Sequence, residues 1–213
     1  MTTTTLTSGF GFRLARQPSV HATPRRFPIA SGYAVDIFSG DPVSLAGTVT
    51  AEGTIELSTL TGARTGTIAA MPILGIFLGC EYTDSTGKPV KSPYWPSGTA
   101  QLSGTTAWAI VAEGDQNEFE CYANGAIALS DIGSQADWAN GASPYGSTST
   151  GISGAFISAT PTASGSQGGF QIIDFVEDAS NTAGDAYTRV IVRIANPQLG
   201  RAGRVALNDA GTA

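Results

Sequence analysis

The sequence predicts a mainly β fold: an antiparallel β-sandwich or partly closed β-barrel, with an extended N-terminal arm and at most one or two short helices. Three observations support this prediction. Short runs of alternating or β-branched residues recur at intervals of about eight to twelve residues. Turn-forming residues separate these runs in a chain of 213 residues with 27 glycines and 11 prolines. Helical periodicity is weak, and a chain of this length can bury a sizeable core.

The predicted arm covers residues 1–30 and is interrupted by Pro18, Pro24 and Pro28. Proline removes a backbone donor and disfavours helix at the preceding residue, so this segment should be extended and held by what it lies against. Alternation at positions 10, 12 and 14 places three apolar side chains on one face of a strand. The apolar anchors expected in the arm are Phe10, Phe12, Leu14 and Phe27.

Charge is divided unevenly along the chain. Residues 1–35 carry a net charge of +4, residues 36–188 carry −13 and residues 189–213 carry +3, which gives −6 overall. The basic residues of the arm are Arg13, Arg16, Arg25 and Arg26. A basic arm on an acidic body is suited to gripping an acidic protein surface. The alternative is an arm that packs on its own domain.

Residues 31–213 are expected to form a single β-rich domain. The run at 71–80 is apolar on both faces and contains glycine and proline, which favours a central buried strand over a helix. One short helix is predicted at 126–139 with Asp131 as a possible N-cap, followed by a flexible Gly/Ser/Thr loop at 140–154. The strands predicted in this domain are 34–38, 43–45, 48–50, 54–57, 71–80, 107–111, 118–122, 155–159, 170–176 and 188–194.

The two cysteines, Cys80 and Cys121, each lie in an apolar, strand-like run. Buried free thiols are the expectation for a reducing cytoplasm, with a disulfide as the alternative if the two strands pair. Charged residues make up 13% of the chain, about half the usual fraction. Such a neutral polar surface is suited to being covered, so an assembled state is expected.

Tyr94 and Trp95 lie between two prolines and form an aromatic pair with two interpretations. Aromatic residues on a stiff segment can form a rigid contact surface, as they do at interfaces. Alternatively, the pair plugs the end of the barrel, which is the interpretation we favour.

Catalytic and metal-binding patterns are weak. His21 is the single histidine and has no nearby Ser or Cys in a nucleophile-elbow setting, so a histidine-based triad has little support. The segment 79–88 lacks phosphate-loop spacing, and the acids at 174–185 lack a calcium-loop pattern. Paired carboxylates among the acids of 113–120 remain open, although a solvated hairpin rim is simpler. We expect no catalytic residue, no metal and no cofactor.

Several blocks of the chain resemble those of a tailed-bacteriophage virion protein family, whose members resemble head decoration, or cement, proteins. The similarity runs from about residue 12 to 199, and its motifs are structural turns and strands. It implies a β-rich domain that binds outside a shell of major capsid proteins as a dimer or trimer and ties capsomers together. The blocks are FPIASGY (27–33), IFSGDPV (37–43), LGIFLGCEYTD with GKP (74–84, 87–89), YWPSGT (94–99) and GDAYTRVIVRI (184–194).

The resulting expectation is a non-enzymatic capsid decoration protein on the outer surface of the virion, made in the bacterial host cytoplasm. Its partners would be the major capsid protein and itself, with a homotrimer preferred to a dimer, and neither nucleic acid nor membrane. The alternative is a tail or head-fibre component that recognises a host receptor or glycan. The predicted capsid-binding residues are Phe10, Phe12, Arg13, Leu14, Arg16, Arg25, Arg26 and Phe27, with Tyr94 and Trp95 as interface aromatics.

Overall fold

A computed structural model describes residues 9–16, 24–45, 55–57, 73–113, 117–139, 146–163 and 167–199. Its strands follow the chain in short steps joined by turns. They are β1 (Arg13–Arg16), β2 (Arg25–Ile29), β3 (Ile37–Phe38), β4 (Pro42–Leu45), β5 (Ile55–Leu57), β6 (Gly75–Thr83), β7 (Pro89–Ser92), β8 (Tyr94–Trp95), β9 (Ala107–Glu113), β10 (Glu118–Tyr122), β11 (Gln135–Ala136), β12 (Trp138–Ala139), β13 (Gly146–Ser147), β14 (Ile152–Ser153), β15 (Phe156–Ile157), β16 (Phe170–Phe175) and β17 (Arg189–Ile194).

Five strands close into a barrel. The order is β4-β5-β2-β9-β6, and β4 also pairs with β6, so the sheet returns on itself; β7 extends it beside β6. The β2–β5 pair is parallel, whereas the other ladders of the barrel are antiparallel. This architecture confirms the predicted fold class, mainly β with a partly closed barrel.

The barrel interior is filled by side chains that alternate along its strands. Phe27 and Ile29 of β2 point inward together with Ala107, Ala109 and Val111 of β9. The small alanines leave room for large partners from other strands, as small barrels require. The remaining members of this core are Ile37, Val43, Ile55, Leu74, Phe77, Cys80 and Trp95.

The fully buried Trp95 comes from the two-stranded β3–β8 ribbon. Its indole N–H donates to the carbonyl oxygen of Tyr33 at 3.2 Å, and its ring meets the Tyr82 ring edge-on at 5.4 Å. Because its N–H has an acceptor, the buried indole adds a large apolar area to the core and leaves no polar group unsatisfied. The plug interpretation is therefore confirmed for Trp95.

A second sheet, in the order β1-β10-β17-β16-β11, packs on the outside of the barrel. The core between them combines Ile76 and Ala112 from the barrel with inward residues of the second sheet. Phe12 belongs to this core and stacks on Phe170, with ring centroids 4.4 Å apart and planes at 8°. The molecule thus has two apolar cores, one inside the barrel and one between barrel and second sheet.

The described residues of the predicted arm lie in these two layers. β1 pairs with β10, and β2 is a central barrel strand between β5 and β9. Phe12 and Phe27 are buried in the two cores, so the prediction that they contact the capsid is wrong. Burying these two aromatic side chains stabilises the fold by more free energy than leaving the segment extended in solvent would. The alternative, packing on the protein's own domain, is correct for this segment.

The helix predicted at 126–139 is also wrong. A single 3₁₀ turn, Leu129–Asp131, forms there, and the residues that follow pair as β11 and β12. Ile127 is buried with its N–H bound to the Thr188 hydroxyl, and Gly133 adopts a positive φ of 89° that ends any helical path. Tertiary pairing with β15 and β16 outweighs a weak local preference. Asp131 is not the N-cap: it is the third residue of the turn, and its carboxylate accepts the N–H of the N-cap residue Ala128 at 2.8 Å.

Most other strand predictions are confirmed with small shifts in bounds. The prediction at 48–50 lies outside the described residues. So does part of the predicted flexible loop at 140–154, but its described part contains the paired β13 and β14. Cys80 lies in the barrel core and Cys121 in the other core, and both are free, which confirms the prediction of buried thiols. Burial raises the pKa of Cys80 to about 12 and that of Cys121 above its usual range.

Candidate interaction surface

The outer face of the barrel carries an exposed tryptophan in a row of four side chains. Pro28, Trp108, Glu81 and Lys91 lie in register across β2, β9, β6 and β7. Because Ala107 and Ala109 point into the barrel, the pleat turns Trp108 outward, where it is 38% exposed. We call Arg26, Pro28, Glu81, Lys91, Trp108 and Ile110 the barrel face.

The outer side of β9 is covered at one end and open at the other. Ala112 packs against the second sheet, whereas Trp108, four residues away, lies outside that core and is exposed. Half-buried Ile110 lies between them and opposite Arg26. This geometry leaves an aromatic and an aliphatic side chain next to each other at an accessible position.

Two cations flank this apolar centre and share one carboxylate. Glu81 binds Arg26 Nη2 through Oε2 and Lys91 Nζ through Oε1, each at 2.7 Å. The Lys91 hydrogen bond, with help from Arg26, holds the pKa of Glu81 below its usual range. Arg26 and Lys91 are 62% and 83% exposed, whereas Glu81 is 20% exposed. A partner approaching the barrel face therefore meets the cations first.

Arg25 repeats this pattern at one end of the barrel. Its Nη1 lies 2.5 Å from Oε1 of Glu113, and its guanidinium lies 5.3 Å from the Phe27 ring centroid. The arginine is exposed and the glutamate recessed. Arg25 and Arg26 have no acids near them in sequence, and residues far along the chain supply their partners.

The outer face of the second sheet has the same residue types in another arrangement. Arg189 is only 20% exposed and binds Glu120 at 3.4 Å and Asp178 through its other guanidinium nitrogen. The backbone N–H and hydroxyl of Ser180, followed by Arg189, lower the pKa of Asp178 to about 2. We call Arg13, Glu118, Glu120, Gln171, Arg189 and Arg193 the second-sheet face.

Cations and acids alternate across the second-sheet face. Arg13 lies opposite Glu120, and Arg193 lies opposite Glu118 and donates to Gln171 at 3.1 Å. Each positive charge therefore has an acid or amide in register with it. On this face Arg189 forms ion pairs, whereas Arg13 and Arg193 lie across the register from an acid.

The other predicted arm residues lie at the start of the second sheet. The half-buried Phe10 ring meets Tyr122 edge-on at 4.9 Å, and the Arg13 guanidinium stacks 3.8 Å from the Phe10 centroid. Leu14 packs against the core between the layers. The side chain of Arg16 lies outside the described part of the structure. The structure thus separates Arg13 from Arg25 and Arg26, which belong to the other layer.

The predicted interface aromatics also separate in role. Tyr94 is half-buried and stacks on Phe38 with centroids 5.6 Å apart, whereas Trp95 is enclosed by the barrel. Sequence reasoning missed Trp108 and chose this pair because prolines flank it. The signal for Trp108 was the inverted size alternation of 107–111, in which alanines occupy the inward positions and the bulky residues the outward ones.

A buried carboxyl lies where the barrel meets the second layer. Asp41 is fully buried; its Oδ2 accepts the Phe38 N–H at 2.7 Å and its Oδ1 accepts the Ser153 hydroxyl at 2.5 Å. Burial raises its pKa to about 6, against the opposing effect of these hydrogen bonds. Neighbouring backbone bonds connect Gly40 to Phe12 and to Phe77. Asp41 thus has a structural role: its carboxylate joins Phe38 to Ser153, and it is too deeply buried to contact a substrate.

The described residues offer no group of three or more His, Cys, Asp or Glu placed to hold a metal ion. Within the same residues, no helix has the length and apolar character needed to span a membrane. Comparison with known proteins finds no matching family model, no matching curated protein and no matching solved structure.

Proposed function

We propose that this protein is a capsid decoration, or cement, protein of a tailed bacteriophage. It binds the outside of the major capsid protein shell and stabilises the head without catalysing a reaction. The resemblance of its strand and turn blocks to virion proteins motivates the proposal. Those blocks supply β6, most of β2, part of β4, the Trp95 plug and β17, so they are elements of architecture rather than of chemistry.

The observation that carries the proposal is the unequal exposure of the charges on the barrel face. A chain with net charge −6 presents there two cations more than 60% exposed over a carboxylate 20% exposed. Such a face complements an acidic protein surface, and complementary charge directs orientation and on-rate. Repetition over a symmetric shell then gives stability by avidity from modest single contacts.

The test is reconstitution on shells of the phage that encodes the protein. Shells assembled without the protein are mixed with it, sedimented and examined by cryo-electron microscopy, and their resistance to heat is measured. We expect saturable binding on the outer surface, hundreds of copies per particle and greater heat resistance. Absence of binding to these shells would overturn the proposal.

A second candidate is a tail or head-fibre component that recognises a host glycan or receptor. The exposed Trp108 beside charged side chains favours it, since aromatic side chains also serve as platforms for ligands. Copy number separates the two functions, because a fibre component is present in a few or tens of copies. Binding to isolated host surface glycans measures the second function directly.

We further propose self-association as a homotrimer on the capsid, with a dimer as the alternative. Closed cyclic association at a position where three capsomers meet makes each added contact effectively intramolecular. Mass photometry of the free protein and the symmetry of its density on the shell test this arrangement. Isolated monomers on the shell would contradict it.

A further inference from the structure

We infer that the barrel face docks on an acidic protein surface of the capsid shell with Trp108 as its anchor, while the second-sheet face points to solvent. This inference rests on the proposed function and assigns its contact surface. The occupant is a protein surface of stated chemistry: an apolar recess for the indole, bordered by carboxylates for Arg26 and Lys91. The same assignment orients the whole protein on the particle.

The size of the face fits a protein partner. The row from Pro28 through Trp108 and Glu81 to Lys91 crosses four strands, and three spacings of about 4.8 Å give a span of about 14 Å. That span matches the central cluster of a protein interface and exceeds a single sugar ring. Tryptophan and arginine are the residue types most enriched in such clusters.

The charge arrangement favours separated carboxylates over a polyphosphate. Glu81 lies between the two cations and 2.7 Å from each, so a continuous polyanion would pass over a negative charge. Carboxylates on a protein surface can approach Arg26 and Lys91 from either side without meeting Glu81. Docking adds hydrogen bonds from the donors of Arg26 and Lys91 that Glu81 leaves free.

The second-sheet face holds its cations differently. Arg189 is 20% exposed and binds an acid through each of two guanidinium nitrogens. The exposed Arg13 stacks on the Phe10 ring and lies opposite Glu120. The two faces therefore differ in what a partner would gain from covering them.

The experiment compares variants of the full chain for binding to shells. Trp108→Ala removes the anchor, and Lys91→Glu reverses a charge on the barrel face. Lys88→Glu is the matched control, because this exposed turn residue lies three positions away on the same hairpin and changes net charge equally. Arg13→Glu tests the second-sheet face. Circular dichroism and the melting temperature establish that each variant is folded.

We expect Trp108→Ala and Lys91→Glu each to weaken binding about tenfold or more, as hot-spot substitutions do. Lys88→Glu and Arg13→Glu should stay within about twofold of the wild type. If the wild type fails to bind shells, the proposed function is lost. If the wild type binds and the barrel-face variants bind equally well, only this inference is overturned. Loss of binding in Arg13→Glu alone would reverse the orientation.

Should Trp108→Ala fail to fold, Lys91→Glu and Arg26→Glu decide the question, because both positions are more than 60% exposed. A glycan partner predicts a different result: barrel-face variants would lose binding to host glycans and keep their binding to shells. That result would also overturn the inference.

Discussion

The barrel and the second sheet contain the same types of ion pair, but they differ in which member of the pair is more exposed. On the barrel face Arg26 and Lys91 stand above a recessed Glu81, whereas in the second sheet Arg189 is recessed and its partner Asp178 is more exposed. A count of salt bridges would not distinguish the two layers. A partner first contacts the outermost charge, so the exposure of each member of a pair matters more for binding than the number of pairs.

The largest effect expected is the loss of both layers when their first strands are removed. Deletion of residues 1–29 removes β1 from the second sheet and β2 from the middle of the barrel, together with Phe12 and Phe27. We expect no cooperative thermal unfolding in this variant, measured by circular dichroism. Deletion of residues 1–8 is the control and should unfold cooperatively. A folded 30–213 fragment would show that the layers do not depend on these strands.

The next effect separates the inside of the barrel from its outer face. Trp95→Ala should destabilise the protein by about 3–5 kcal/mol, because it empties a fully buried site and leaves the Tyr33 carbonyl without its donor. Trp108→Ala should cost less than about 1 kcal/mol, as a partly exposed site does. Urea unfolding measures both free energies. Equal costs would mean that Trp108 supports the fold rather than an interface.

The free energy of unfolding should depend on pH through the buried Asp41 carboxyl. Asp41 has a folded-state pKa of about 6, above the ordinary value of 3.8, because it is buried, so its ionisation opposes folding. Its contribution to stability is fully present below pH 3.8 and is lost as the pH rises through 6. Asp41→Asn keeps an acceptor for Phe38 and offers the Ser153 hydroxyl a donor, without the charge.

Relative to Asp41→Asn, the wild type should therefore lose stability between pH 4 and pH 7.5, by roughly 2–3 kcal/mol. Thermal unfolding of both proteins across this range measures the difference, in which the other acids cancel. A difference that is constant with pH would show that Asp41 does not titrate in this window.

A smaller effect compares the two kinds of ion pair directly. Arg189→Gln removes a recessed cation from Glu120 and Asp178 and should destabilise the protein by about 1–2 kcal/mol. Arg26→Gln removes an exposed cation and should cost less than about 0.5 kcal/mol. Urea unfolding at low and high salt measures both. Equal costs would remove the energetic basis for distinguishing the faces.

The fold class could be predicted because alternation is a local signal. The strand at 118–122 and the inward alanines of β9 follow from period-two patterns that any window of the chain displays. Closure of the barrel through β4 and β6, and the parallel contact of β2 with β5, join distant segments and have no such signal.

The candidate site was harder to predict for the same reason. Arg25 and Arg26 find their acids 88 and 55 residues away, so a search for neighbouring charges in sequence could not locate them. The alternation of 107–111 indicates that Trp108 points out of the barrel, but it does not indicate that this part of the outer face stays exposed. The burial of Phe12 and Phe27 has no local signal, because an apolar residue in an extended segment looks the same in sequence whether it packs on its own chain or on another.

The position of β2 has a consequence for how the protein is made. β2 is the first barrel strand in the chain, and its neighbour β9, in which Val111 pairs with Arg25 and Ala107 with Ile29, is the last. Contacts between such distant segments cost loop-closure entropy before they contribute favourable energy, which slows folding. The ribosome must therefore release β9 before the barrel can close. Until then Phe27 and Ile29 remain accessible, and this interval is when premature association between nascent copies is most to be expected.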